Sequence, residues 1–385
     1  MNTTTLAQQL LPKEAYFSQR WFDEERKHLF DQSWIFACFE TELSDGGDYV
    51  TLRYMDHPLF VVRDQEGSLN AYHNVCRHRG CEVLEGKGNT KTTIMCPYHR
   101  WTYQLDGELR GVPNEGECFE NLPREELSLH RASVGVYAGM VFVNPSANPK
   151  EDFSSWIANM DEYLWPHRFD DGSMVCTGEV VYQMACNWKV FYENAIDGYH
   201  LGYLHDKTLG KVYPSRNVWD LVGRHHVWYS TETGEKKSNT VLSVENADQF
   251  NLPRLHSDSE ATYPGVVMLF PLTLLAPNPW GIYISILEPK GPEVTMMRSI
   301  AWAPAGSGGR FDMEGERSDV IRLADMNSHP LESGNFQLED MWIVEKIQRN
   351  LRSPHYKVGP LAQGVGAEQP LYEFQQSILD YVSTT

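Results

Sequence analysis

Residues 76–81 read C-R-H-R-G-C, and residues 96–103 read C-P-Y-H-R-W-T-Y. Cys76 and His78 stand in the first stretch, Cys96 and His99 in the second, and seventeen residues separate His78 from Cys96. Each stretch supplies one thiolate and one imidazole. Two Cys with two His hold either a tetrahedral zinc or a [2Fe–2S] cluster with both cysteines on one iron and both histidines on the other. Structural zinc sites commonly pair Cys with Cys and His with His on each loop. Here each loop mixes the two, and a single residue divides the first pair. That spacing suits two loops that each reach both irons.

The flanking residues, Gly80-Cys81 after the first loop and Pro97-Tyr98 inside the second, make the pair resemble the Rieske motif. Around it the chain reads as short strands broken by turns. Tyr49–Tyr54, Leu59–Arg63, Thr92–Met95 and Gly139–Val143 carry strand-like runs, Gly46-Gly47-Asp48 is a turn, and Asp106-Gly107 is a hairpin signal just after the second loop. Before it, Phe22, Arg26, Leu29 and Phe30 recur at helical spacing, and Trp34 and Phe36 lead into an extended segment. Asn144–Asp152 has the composition of a linker.

Beyond the linker the pattern changes. Residues 187–200, NWKVFYENAIDGYH, read as a helix, and 263–303 hold strong strand runs. Ile282, Ile284 and Ile286 alternate, a turn is expected at Glu288–Pro292, and Val294–Trp302 reads as the next strand. Asp340–Leu351 and Leu371–Val382 read as helices, the latter with Pro370 near its start and Leu371, Phe374, Ile378 and Val382 on one stripe. Helices over one antiparallel sheet make an α+β domain. The expected division is a helical segment at 1–40 that packs on the catalytic domain, an all-β cluster domain at 41–148 and the catalytic domain at 149–385.

Asp197, His200 and His205 form a second constellation. Asp197 and His200, three apart, are expected on one helical face, and His205 lies beyond Gly202, where the helix is expected to end. Two imidazoles and one carboxylate make the facial triad of mononuclear non-haem Fe(II) oxygenases. Together with the cluster loops, the stretches N-W-K … E-N … D-G-Y-H … H and the late E-D … Q-R-N-L-R-S resemble the Rieske non-haem iron ring-hydroxylating oxygenases, and specifically their large (α) terminal oxygenase subunit.

The resemblance implies a cluster domain followed by a catalytic domain of helix-grip, START-like form. It implies a Rieske [2Fe–2S] cluster on Cys76, His78, Cys96 and His99, and a mononuclear Fe(2+) on His200, His205 and a downstream carboxylate. Glu339-Asp340 is the matching acidic pair, with Asp340 the expected ligand and Glu339 the alternative. Asp197 is then the catalytic acid that bridges the two centres across a subunit boundary, between His200 of its own chain and His99 of a neighbour. Arg100 departs from the family, in which many members have Gly after the second cluster histidine.

The implied activity is O2-dependent hydroxylation of a small organic substrate, with electrons from NAD(P)H through a flavin/iron–sulfur reductase, directly or by way of a ferredoxin. An aromatic compound, often a carboxylate, is the first substrate expectation; N-demethylation of a quaternary ammonium or methylated amine in an aromatic cage is the second. Phe270, Leu272, Trp280, Tyr283 and Ile284 are the expected pocket lining. The chain contains no G-x-G-x-x-G, so the nicotinamide cofactor belongs to another protein. Two readings from other classes are a Rieske electron carrier without oxygenase activity and a zinc-stabilised binding module.

Composition sets the outer bounds. The 385 residues suffice for two or three domains. A net charge of −19 argues against a nucleic-acid partner, because no basic patch is available to neutralise phosphates; solubility accounts for it first, and a partner with a basic docking face is the sharper alternative. No run of transmembrane length and no secretory signal appears, so a cytoplasmic protein is expected, as a homotrimer by family resemblance. Cys38, Cys81, Cys118, Cys176 and Cys186 are expected to be reduced and mostly buried.

Overall fold

A computed structural model describes residues 8–164, 167–209, 216–231, 265–278, 281–306, 319–364 and 368–382. The chain divides into two compact bodies, the smaller comprising Phe30–Ala158 with Arg168–Asp171, the larger everything else. The division therefore falls at Leu29/Phe30 and Ala158/Asn159, not at 40 and 148. The reason for the first shift is a wholly buried strand, Ile35–Phe39 (β1), which pairs with Met140–Asn144 (β10) and so belongs to the smaller body. The expected linker fails at its start, since Asn144 ends β10, is fully buried and donates its side-chain amide to the Gln32 carbonyl.

The smaller body is all-β. Asp48–Tyr54 (β2), His57–Arg63 (β3), Leu69–His73 (β4), Lys87–Asn89 (β5), Arg131–Tyr137 (β9), β1 and β10 form a seven-stranded sheet in the order β1-β10-β9-β4-β3-β2-β5. Thr93–Met95 (β6), Thr102–Gln104 (β7) and Leu109–Gly111 (β8) form a separate three-stranded sheet. The β7–β8 turn holds Asp106-Gly107, with Gly107 at φ +89°, a left-handed conformation that a side chain resists. A Cβ there would also lie 2.5 Å from the Tyr72 ring. Phe60, Tyr72, Ile94, Trp101 and Tyr103 pack with Cys76 and Cys96 in one apolar cluster, so the ligand loops are rooted in the core.

The larger body is α+β. Its sheet of Met174–Met184 (β11), Arg216–Val222 (β12), His225–Thr231 (β13), Val266–Leu269 (β14), Thr273–Asn278 (β15), Gly281–Gly291 (β16) and Val294–Pro304 (β17) runs β11-β17-β16-β15-β14-β13-β12, and every pairing is antiparallel. The turn expected at Glu288–Pro292 is mostly strand. β16 carries through Pro289, which lacks an N–H, to a register shift between Pro289 and Gly291 that tolerates the missing donor.

The longer helices of this body are Gln19–His28, Trp188–Ile196, Phe336–Leu351 and Gln369–Val382. Glu25 on the first of these is fully buried and pairs with buried Lys189 of the second, Oε1 to Nζ 2.5 Å. Trp188 Nε1 donates to the other oxygen at 3.0 Å and Trp21 Nε1 to Oε1 at 3.1 Å. A buried charge pair is tolerated only with its remaining hydrogen-bonding capacity satisfied in this way. The 369–382 helix buries Leu371, Phe374 and Ile378 along the expected stripe.

Among the cysteines, Cys38 and Cys186 are buried, Cys81 is intermediate, and Cys118 and Cys176 are exposed, so burial is less general than expected. None of the seven is in a disulfide. Among the described residues no helix is long and apolar enough to cross a membrane.

Candidate metal centres

The two cluster loops are built alike. In the β4–β5 loop, Gly80 N donates to Cys76 O at 2.9 Å; in the β6–β7 loop, Arg100 N donates to Cys96 O at 3.0 Å. Each turn closes on a residue of positive φ, Gly80 at +75° and Arg100 at +57°. Arg100 thus holds a left-handed position that favours glycine, which explains why a glycine suits that place in the family pattern.

The loops bring all four sequence-expected ligands together. Cys76 and Cys96 are buried at 3% and 1%, and burial pushes the Cys76 thiol up. The Tyr103 hydroxyl lies 3.3 Å from Cys76 Sγ and accepts from Arg77 N at 3.0 Å. His78 Nδ1 and His99 Nδ1 approach to 3.1 Å, and the His78 ring stacks on Trp101 at 4.8 Å. A buried thiol pair and a separate imidazole pair fit the two ends of a dinuclear cluster.

The second set is His200, His205 and Asp340, whose ligand atoms lie within 4.8 Å of one another. His205 Nε2 is 3.0 Å and His200 Nε2 3.6 Å from Asp340 Oδ1. The carboxylate belongs to the helix Phe336–Leu351, which begins four residues earlier than expected because Asn335 caps it through Gln337 N at 2.9 Å.

The helix expected over 187–200 ends at Ile196 instead. Asn187 caps its start, and Asp197 is already extended at φ −92°, ψ 106°. Asp197 and His200 therefore do not share a helical face. They meet because the chain bends, with Asp197 Oδ1 accepting Tyr199 N at 2.7 Å and Oδ2 lying 3.1 Å from His200 Nδ1. Gly198 permits the bend, since a Cβ there would lie 2.4 Å from the Asn217 side chain on β12. Gly202 does not end a helix either; it sits within the short turn Leu201–Leu204, and His205 is the residue that closes that turn.

Two neighbours, Asn194 and Thr208, escape the sequence reading, and Glu339, read there as the alternative ligand, takes a different place. Asn194 Nδ2 donates to Asp340 Oδ1 at 2.8 Å. Glu339 points away from Asp340 to His205 Nδ1 at 2.6 Å, and Thr208 Oγ1 donates to the same Glu339 oxygen at 2.7 Å. The E-N and E-D dipeptides were legible in the chain, but nothing in them shows which nitrogen of which imidazole they reach.

Asp197 and Asp340 favour positive charge at this site, carried by the imidazoles themselves or by an ion between them. Burial works against charging His200, yet the hydrogen bonds and negative charges of Asp197 and Asp340 raise it to about 10. Burial would likewise raise Asp340, but the two imidazoles hold it well below the usual carboxylate range. Once the imidazoles give up their protons to an ion, two of them with the Asp340 carboxylate are the donor set of a ferrous facial triad, which leaves positions open for water, O2 and substrate. Of the expected pocket residues, Phe270, Leu272 and Ile284 are buried, Tyr283 is half-buried on β16, and Trp280 lies outside the described residues.

Comparison with known proteins places both centres in context. A Rieske [2Fe-2S] domain model matches residues 33–127, and a model of the ring hydroxylating alpha subunit (catalytic domain) matches 172–384. The chain is 32% identical to the glycine betaine monooxygenase oxygenase subunit of Chromohalobacter salexigens, over 97% of this chain and 84% of that one. It is also 32% identical to the carnitine monooxygenase oxygenase subunit of Acinetobacter pittii, over 90% and 86%. A solved quaternary ammonium Rieske monooxygenase in complex with gamma-butyrobetaine shares the fold at TM-score 0.73 and 23% identity, covering 98% of this chain and 96% of that one.

Proposed function

This chain belongs to the ring-hydroxylating oxygenase α subunits of the Rieske non-haem iron type, and from that premise we propose that it oxidises a quaternary ammonium or methylated amine substrate. Its cofactors are a Rieske [2Fe–2S] cluster and a mononuclear iron, and it is an oxidoreductase that uses O2. The electron-carrier and zinc-module readings give way to the catalytic domain matched over 172–384.

Cys76, Cys96, His78 and His99 would hold the cluster, and His200, His205 and Asp340 the iron; when bound, these groups supply electron storage and O2 activation. In the overall balance a substrate C–H, O2, two electrons and two protons give C–OH and water. The electrons come from NAD(P)H through a separate reductase. A second copy of the chain, in a homotrimer, would bring its His99 to Asp197, which already takes the Nδ1 side of His200. A carboxylate held between two imidazoles fixes both rings and offers a route between the centres.

The observation that carries the substrate class is the full-length likeness to subunits that act, by name, on glycine betaine and carnitine. It turns the choice away from the aromatic compounds favoured by sequence reasoning. One local feature agrees. Asn217, which meets Gly198 of the ligand bend, shares a face of β12 with Trp219, and Trp219 pairs across to Trp228 on β13. Indole faces bind a quaternary ammonium without needing hydrogen bonds from it.

The test is substrate-dependent O2 uptake and aldehyde release with a surrogate reductase. Carnitine- and betaine-type compounds should support both, since hydroxylation beside a quaternary nitrogen leads to C–N cleavage. Uptake with aromatic acids alone would overturn the assignment.

A further inference from the structure

We propose that Glu339, steadied by Thr208, is the positioning residue that fixes His205 for metal binding, and is not itself a ligand; this rests on the ligand set proposed above. Glu339 and Asp340 are consecutive on the helix Phe336–Leu351, so they leave its axis about 100° apart. They reach opposite nitrogens of one imidazole, Glu339 Oε2 at 2.6 Å from Nδ1 and Asp340 Oδ1 at 3.0 Å from Nε2. A neutral imidazole has one N–H. With that hydrogen given from Nδ1 to Glu339, Nε2, beside Asp340 and His200, is the nitrogen left to take an ion in place of a proton.

The two imidazoles thus have different outer carboxylates. Asp197, behind His200, is 17% exposed and remains within reach of groups from outside. Glu339, behind His205, is 2% exposed, and its Oε2 is also occupied by the Thr208 hydroxyl at 2.7 Å. Its orientation is set by the fold alone. A buried carboxylate committed to Nδ1 and to a threonine has no reason to turn toward the metal, which Asp340 already faces.

The experiment measures Co(II) retained by the cluster-loaded chain, stripped of mononuclear iron, in equilibrium dialysis against a metal buffer. Glu339→Gln should weaken Co(II) binding about 10- to 100-fold, the range for lost outer-shell partners. Glu339→Asp should recover part of the loss, a rescue that general destabilisation would not give. Thr208→Val should weaken binding by a smaller factor, and covers the case in which Glu339→Gln does not fold. The cluster's visible spectrum reports integrity of the rest of the chain. His205→Ala and Asp340→Asn should abolish binding. If they do so while Glu339→Gln and Thr208→Val bind as wild type, the positioning role is wrong and the ligand set stands. If His205→Ala binds as wild type, the ligand set itself is wrong. If Glu339→Gln and Asp340→Asn lose binding equally, with no rescue by aspartate, Glu339 is a ligand.

Discussion

Gly198 does more for the second centre than its lack of a side chain suggests. The bend from Asp197 to His200 passes so close to Asn217 that a methyl group would overlap its carboxamide. Gly198→Ala should therefore displace His200, with loss of mononuclear iron and of O2 uptake by at least about tenfold, because misplacement of a reacting group by an ångström costs that much or more. The cluster's visible spectrum should remain. Gly198→Ala with Asn217→Ala should recover iron, and iron measurement on the pair decides the matter. An unchanged single variant would show that the bend has room to move.

At the scale of the element, the helix Trp188–Ile196 is held on its inner face by charge. Glu193 is half-buried, accepts from the Tyr16 hydroxyl at 2.7 Å and from Gln375 Nε2 at 2.8 Å, and desolvation pushes its carboxyl up from 4.5 to about 7. The folded chain therefore binds a proton that the unfolded chain has released over this interval. Stability is fully present below about pH 4.5 and falls as pH rises through about 7, by on the order of 3 kcal/mol. Glu193→Gln, which keeps the acceptor oxygen, should leave Tm nearly unchanged near about pH 5 and raise it near about pH 8. Equal shifts at both values would remove this account.

The same helix shows what the chain made legible. Its start, its apolar content and the residues Asp197, His200 and His205 follow from the sequence, because caps and ligand types are local. Its end at Ile196 does not, because Asn217 and Gly198 are brought together only by the sheet. Glu339 illustrates the same limit. Its place beside Asp340 reads as a second ligand until the helix turns it to the far nitrogen of His205. In the smaller body, β2 and β3 fall within two residues of their expected bounds, since alternation is a local signal. The membership of Ile35–Phe39 in that sheet depends on a partner more than 100 residues away.

The whole molecule carries two metal functions in two bodies, so they should be separable by mutation. The intact chain should contain about three irons and about two acid-labile sulfides. His200→Ala should lose one iron and all oxygenation while the visible spectrum persists. Cys96→Ser should bleach the spectrum. Atomic absorption and sulfide assay on the three proteins suffice, and a single variant that loses both metals would contradict the separation. A net charge of −19 adds that a reductase with a basic docking face should reduce the chain faster at low salt.

The Glu25–Lys189 pair also imposes an order on biogenesis. The ribosome delivers Glu25 first and Lys189 only 164 residues later, with the entire smaller body in between. Leu10 N waits longer still, for Gln375 at a separation of 365. Domains that emerge early fold early, so the sheet bearing the cysteine loops can mature while the amino-terminal helix still lacks its counter-ion. Cluster assembly can precede translation of Asp340, and the ferrous site closes only when the helix Phe336–Leu351 has left the exit tunnel.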